Sequence, residues 1–188
     1  MSDPNPPPID DEARLAVRCQ LGHADAWDEL VRVWNPRLFA FTRRMVGDDA
    51  TADDVVQNVW VRVVRSLGRL RDPIKLRAWM YRIARAAVND RLRRQYRRRE
   101  TAAVDGSVAA DPPADDPSID RWVESEATAD AIRRLHPRDR EVLVLFYFHD
   151  LSVGEVAEAC GVREGTVKSR LARARGRIKP LLEPENER

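Results

Sequence analysis

Lysine is almost missing from this chain: among 33 basic residues in 188, only Lys75, Lys168 and Lys179 are lysine, and the rest are arginine. An arginine excess favours bidentate phosphate contact, although genomic base composition produces the same bias. Cysteine is scarcer still. Cys19 and Cys160 lie in different segments, without paired spacing or a nearby histidine cluster, which excludes a disulfide framework and a zinc site and leaves two buried thiols. No apolar run approaches the roughly 18 residues of a membrane span, so no membrane insertion is expected. The segment from Met1 to Ile9 is proline-rich and polar, without the apolar region of a signal peptide, and a cytoplasmic location is expected.

What is present is unevenly distributed. The net charge of +2 conceals an arginine-rich first half and a run, from Glu100 to Asp120, with six acids and no base. That run contains Asp105-Gly106-Ser107, Asp111-Pro112-Pro113 and Asp115-Asp116-Pro117 and has no apolar period, so it reads as a linker. Its charge suits either a solvated tether or a segment that follows a basic channel meant for nucleic acid. On both sides of it apolar residues recur at helical spacing. The predicted helices run from Glu12 to Leu21, Ala24 to Val46, Ala50 to Leu67 and Leu76 to Arg98, then from Arg121 to Leu135, Pro137 to Phe148, Ser152 to Cys160 and Gly165 to Leu181. Pro36 is expected to bend or break the second. Val142 to Phe148 is rich in strand formers, but its Pro137-Arg138-Asp139 start and its neighbours argue for a buried helix. The expected fold is all-α: a tail over 1–10, a helical domain over 11–99, the acidic linker over 100–120 and a second helical domain over 121–183.

The most informative segment is Gly165 to Lys179, which carries six basic residues and no acid. Ala157, Gly161 and Val167 fall where a helix-turn-helix needs a small residue, a turn and a buried β-branched residue, and Ser152 is a good N-cap for the preceding helix. At about 100° per residue, Val167, Leu171, Ala174 and Ile178 form one apolar stripe. Thr166, Ser169, Arg170, Arg173 and Arg177 lie on a neighbouring face, and Lys168, Arg175 and Lys179 form a third, basic side. Packing and DNA contact are thereby separated, as in a recognition helix between two phosphate rails. An ordinary solvated face usually mixes charge signs.

Two other helices carry chemistry. On the third, Val56, Val59, Val63 and Leu67 point inward, leaving Asp53, Asp54, Gln57, Arg62 and Arg65 as an outward polar surface that fits either docking or an ordinary acid-started helix. On the fourth, Met80, Ile83, Ala84 and Ala87 are expected to pack inward, while Trp79, Tyr81, Arg82 and Arg85, with the arginine-rich end from Arg91 to Arg99, supply rings and charge for single-stranded DNA. Trp79 as core filler is the competing expectation. Ser66 to Ile74, with Gly68 and Asp72-Pro73, forms a loop able to pocket an extruded base.

In order, these motifs resemble a sigma-70 family factor of the extracytoplasmic-function (ECF) type over nearly the whole chain. Ala52-Asp53-Asp54-Val55-Val56-Gln57-Asn58-Val59-Trp60 is similar to region 2.2, which docks on the clamp of the polymerase β′ subunit. Trp79-Met80-Tyr81-Arg82-Ile83-Ala84-Arg85, followed by Asp90 and Arg91-Leu92-Arg93-Arg94, is similar to regions 2.3 and 2.4, which open and read the −10 element. Leu135 to Leu143, Leu151 to Ala157 and Gly165 to Arg175 resemble region 4, which reads the −35 element. The chain departs from that pattern at Asn58, where an acid is usual, at His136, which displaces a proline, and at Ala86, where an asparagine is common.

The resemblance implies a non-enzymatic initiation factor whose partners are the β′ and β subunits of core RNA polymerase, promoter DNA and an anti-sigma factor, with no cofactor, metal or small-molecule substrate. It implies core binding by Asp53, Asp54, Gln57, Asn58 and Arg62. It implies −10 contact by Trp79, Tyr81, Arg82, Arg85, Asn89, Arg93 and Arg94, and −35 contact by Thr166, Lys168, Ser169, Arg170, Arg173 and Arg177. Two rival classes remain. A plain helix-turn-helix regulator shares the Leu143 to Arg173 pattern but carries a strand-rich sensory domain in front. A metal nuclease built on Asp48, Asp49, Asp53 and Asp54 lacks the histidine or distant carboxylate that two metals need.

Overall fold

The computed structural model describes residues 9–100 and 126–182. These form eight α-helices and two short 3-10 turns, and among the described residues there is no strand. The acidic run expected as a linker lies almost wholly outside the described residues, as does the segment over 1–8.

In the first unit α1 (Ile9–Gln20), α2 (Ala24–Val46), α3 (Asp49–Ser66) and α4 (Leu76–Glu100) pack around Leu30, Trp34, Leu38, Phe41, Val59, Val63 and Met80. Their ends follow local chemistry. Gly47 closes α2 in the left-handed region (φ 94°), where glycine carries no Cβ penalty, and its N–H donates to the Arg43 carbonyl at 2.8 Å. One residue later the Asp48 carboxylate accepts from the Thr51 N–H at 2.8 Å and caps α3. The two 3-10 turns, Leu67–Arg69 and Pro73–Lys75, carry the chain into α4, and Gln20 pins the first by donating to the Leu67 and Leu70 carbonyls at 3.0 and 2.8 Å.

Pro36 does not break α2, which runs unbroken from Ala24 to Val46. The ring removes one backbone bond, but Trp34 and Leu38 on either side of it are fully buried and hold both halves against the same core.

The second unit contains α5 (Glu126–Arg134), α6 (Pro137–Tyr147), α7 (Val153–Cys160) and α8 (Glu164–Leu182). Val142, Leu143, Val144 and Leu145 are all fully buried. A helix apolar on every side is an interior helix, which is why this run of strand formers is helical. The buried residues of both units belong to one continuous cluster, with α4 against α7 and α2 against α6. No helix among the described residues is long and apolar enough to cross a membrane.

Candidate nucleic-acid interface

The helix-turn-helix is built from its caps. Ser152 and Glu155 form a reciprocal capping box at the start of α7: the Ser152 hydroxyl accepts from the Glu155 N–H at 3.3 Å, and the Glu155 carboxylate accepts from the Ser152 N–H at 2.8 Å. Gly161 ends α7 at φ 65°, and the Val162 N–H donates to the Ala157 carbonyl at 3.0 Å. The chain thus turns into α8 at a fixed angle. Val167, Leu171, Ala174 and Ile178 are buried, so the stripe expected from the sequence is the packing face of α8.

The opposite faces of α8 divide the predicted −35 residues into two groups. Lys168 and Ser169 are exposed, Thr166 and Arg177 half-buried, and the Ser169 hydroxyl donates to the Thr166 carbonyl at 3.0 Å. Arg173 instead turns inward and donates two bonds, both 3.2 Å, to the carboxylate of Asp139, a buried residue of α6. One Arg170 terminal nitrogen is also buried, without a hydrogen-bond partner, on the side facing Glu141 and Cys160. Their spacing puts these two arginines beside Thr166 and Ser169, but long side chains can lean either way, and two buried carboxylates on α6 draw them inward.

On α4 the expectation for the rings is corrected. Tyr81 is 1% exposed and stands edge-on to Trp34 and Phe41, each at 5.6 Å between ring centroids; Trp79 is 8% exposed and belongs to the core. Neither ring is a free stacking platform. Leu76, Ala78, Trp79, Met80, Tyr81, Ala84, Ala87 and Val88 are all buried, because α4 has the first unit on one side and α7 on the other. A single-face reading of the helix therefore misassigned two aromatic residues. Arg82, Arg93 and Arg94 are exposed, Arg85 and Asn89 half-buried.

The α3 surface keeps its predicted character. Asp53, Asp54, Gln57 and Asn58 are exposed, and Val61 and Val64 continue that side of the helix at 48% and 61% exposure. The two valines were missed, although their one-turn spacing from Gln57 was legible. Arg62 bridges α3 to α4, donating to the Asn58 carbonyl and to the Asp90 carboxylate at 2.7 Å each. A shallow groove there is lined by Asp54, Asn58, Arg62, Asp90, Arg91 and Arg94, so the proposed docking surface and the basic end of α4 adjoin.

The seam between the two units is polar as well as apolar. Arg85 of α4 pairs with the buried Glu141 of α6 at 2.5 Å, Lys75 with Glu158 of α7 at 3.1 Å, and Arg140 donates to the Met45 carbonyl at 3.0 Å. Burial raises the Glu141 carboxyl above the usual carboxylate range against the opposing pull of Arg85. His149 is wedged between Phe41 (5.9 Å) and Tyr81 (5.0 Å), its carbonyl accepting from Arg77, while the Arg44 guanidinium lies 4.5 Å over the Phe148 ring. Burial, then the cations Arg44, Arg77 and Arg37, push the imidazole down to about 3, so it is neutral. Cys19 and Cys160 are free and buried; burial lifts their thiols to about 11 and about 12, which makes both inert. Among the described residues no cluster of His, Cys, Asp or Glu is arranged to hold a metal.

Residues 30–98 match the family Sigma-70 region 2, and residues 125–178 match Sigma-70, region 4. The RNA polymerase sigma factor CarQ of Myxococcus xanthus is 33% identical, over 86% of this chain and 91% of its own length. The ECF RNA polymerase sigma factor BldN of Streptomyces coelicolor is 31% identical, over 93% of this chain and 66% of its own. The sigma factor RpoE of Bartonella quintana, solved in complex with the anti-sigma factor NepR, superposes with a TM-score of 0.69 at 26% identity, covering 87% of this chain and 99% of that one.

Proposed function

The chain belongs to the sigma-70 family of RNA polymerase sigma factors, of the ECF type, and directs promoter-specific transcription initiation; from that premise we propose how its residues divide the work. Lys168 and Ser169, with Thr166 and Arg177, read and hold the −35 element. Arg82, Arg93 and Arg94, with Asn89 and Arg85, hold the −10 strand, and Asp53, Asp54, Gln57 and Asn58, continued by Val61 and Val64, dock on the β′ subunit of the core enzyme. Arg62 acts beside them by tying α3 to Asp90. Arg170 and Arg173 shape the recognition helix from beneath. The proposed domain boundaries are 11–99 for region 2 and 121–183 for region 4, joined by the acidic linker.

The observation that carries this reading is α8: a capped helix pair presents one helix with its apolar stripe buried and a basic, hydroxyl-bearing side outward. Such a surface binds DNA through phosphate charge and base-edge contacts together. No catalytic role falls to the chain itself, and the chemistry of RNA synthesis is the polymerase's. The protein works in the cytoplasm, where core enzyme and promoters are found. An anti-sigma factor is the expected regulator, by analogy with the relative crystallised with NepR.

Transcription from a promoter library by purified core polymerase, with and without the chain, tests the reading. A discrete set of starts that neither component gives alone is the expected result. DNA binding without new starts is what a plain helix-turn-helix regulator would produce.

A further inference from the structure

We propose that the free protein is self-masked: the region 4 unit covers the DNA-holding side of α4, and this seam must open before α4 can take a single strand. The inference rests on the reading of α4 as the −10 helix.

Three contacts carry it. Arg85 spends its charge on Glu141, a carboxylate from the other unit, at 2.5 Å, and a guanidinium held there is withdrawn from a phosphate. His149, from the loop after α6, stacks on Tyr81 and Phe41 and donates its backbone carbonyl to Arg77, so it closes over the ring-and-cation part of α4. Lys75, next to the loop read as the base pocket, is paired with Glu158. Each contact opposes an acid or carbonyl of region 4 to a cation beside the strand-binding side, so region 4 occupies the place of the nucleic acid.

The seam is also built to come apart. A permanent core would be apolar and fully satisfied. This one buries Glu141 and His149, and the His149 Nε2 has no hydrogen-bond partner. Opening returns both groups to water and relieves their desolvation, which offsets part of the apolar contact that is lost. Closed and open states then differ by an amount that DNA or polymerase can supply.

The test uses the full chain, a short fluorescent single-stranded DNA of mixed sequence, and small-angle scattering. Arg44→Ala with Arg77→Ala and Phe148→Ala removes the cation–ring contact and the His149 carbonyl contact while deleting two positive charges, so charge alone predicts weaker DNA binding. Masking predicts the reverse: a larger radius of gyration, unchanged helical content and about tenfold tighter single-strand binding, the depletion of the competent state being relieved. A second variant, Lys75→Cys with Glu158→Cys, is cross-linked by a short bismaleimide in a background with Cys19 and Cys160 replaced by Ala. Cross-linking should abolish single-strand binding, and the unlinked variant should retain it.

Wild-type scattering that already shows separated units overturns the proposal, as does an expanded triple variant with no gain in affinity or a cross-linked chain that binds as before. Failure of the underlying reading is separable. If Arg82→Ala leaves single-strand binding by the assembled polymerase complex intact, α4 is not the strand-holding helix, whatever the scattering reports.

Discussion

Arg85 and Glu141 meet at 2.5 Å, the guanidinium belonging to the region 2 helix α4 and the carboxylate to the buried helix α6 of region 4. Burial works against the Glu141 charge and Arg85 sustains it. Arg85→Ala therefore leaves a buried carboxylate without its partner, and should cost about 3 kcal/mol of stability in urea melts. Adding Glu141→Gln should recover much of that loss, because a neutral amide has less need of the missing cation.

The buried imidazole of His149 sets an acid limit on the fold. Its folded value is depressed from 6.5 to about 3, so its contribution is fully present above about 6.5 and is lost as pH falls toward 3. Arg37 and Arg44 of α2 and Arg77 of α4 face it, all cations, and none can compensate for a second positive charge. Each unit of pH below that range should cost about 1.4 kcal/mol. Melts between about pH 6.5 and 5.5 avoid most carboxylate titration, and His149→Phe should flatten the slope there.

Arg173 and Lys168, two turns of one helix apart in role, should respond differently to alanine. Arg173→Ala strands the buried Asp139 carboxylate, and about 3–5 kcal/mol of stability should go with it. Asp139→Ala in the same chain should restore most of the melting temperature. Lys168→Ala, at an exposed site, should leave melting unchanged and reduce the slope of log affinity against log salt by about 0.9 on promoter DNA.

Trp79 lies in the core. Trp79→Ala should lower stability by about 3–5 kcal/mol. A template already melted at −10 should give no preferential rescue, which permanganate footprinting on duplex and bubble DNA measures. Preferential rescue with unchanged melting would return the ring to a stacking role.

On α3, Gln57→Ala with Val61→Ala and Val64→Ala removes only exposed side chains. Melting should stay within about 0.5 kcal/mol of the parent. Affinity for core polymerase should fall, because an apolar patch beside polar groups is the composition of a docking surface. Fluorescence anisotropy with labelled core reads the difference, and unchanged affinity moves the docking face elsewhere.

The sequence disclosed what depends on one helix and its nearest neighbours. The α8 stripe, the Ser152 cap and the Gly161 turn follow local periodicity and turn chemistry, and the structure has them where the spacing puts them. What was not legible depends on two surfaces meeting. Tyr81 was expected outside because one face of α4 already had its apolar residues; only the approach of α7 and His149 buries the second face. Arg173 was expected on DNA because spacing cannot show that Asp139, thirty-four residues earlier in the chain, lies beneath it. Pro36 was expected to interrupt α2 because a local rule cannot weigh Trp34 and Leu38 anchoring both sides.

Since α4 is walled by two interiors, the halves of this chain are not interchangeable parts. A region 4 unit transplanted from a relative would have to bring a ring that fits between Phe41 and Tyr81, a carboxylate for Arg85 and a carbonyl for Arg77. Exchange of promoter preference by recombination at the linker is thereby confined to donors whose hidden face already matches, however suitable their recognition helix.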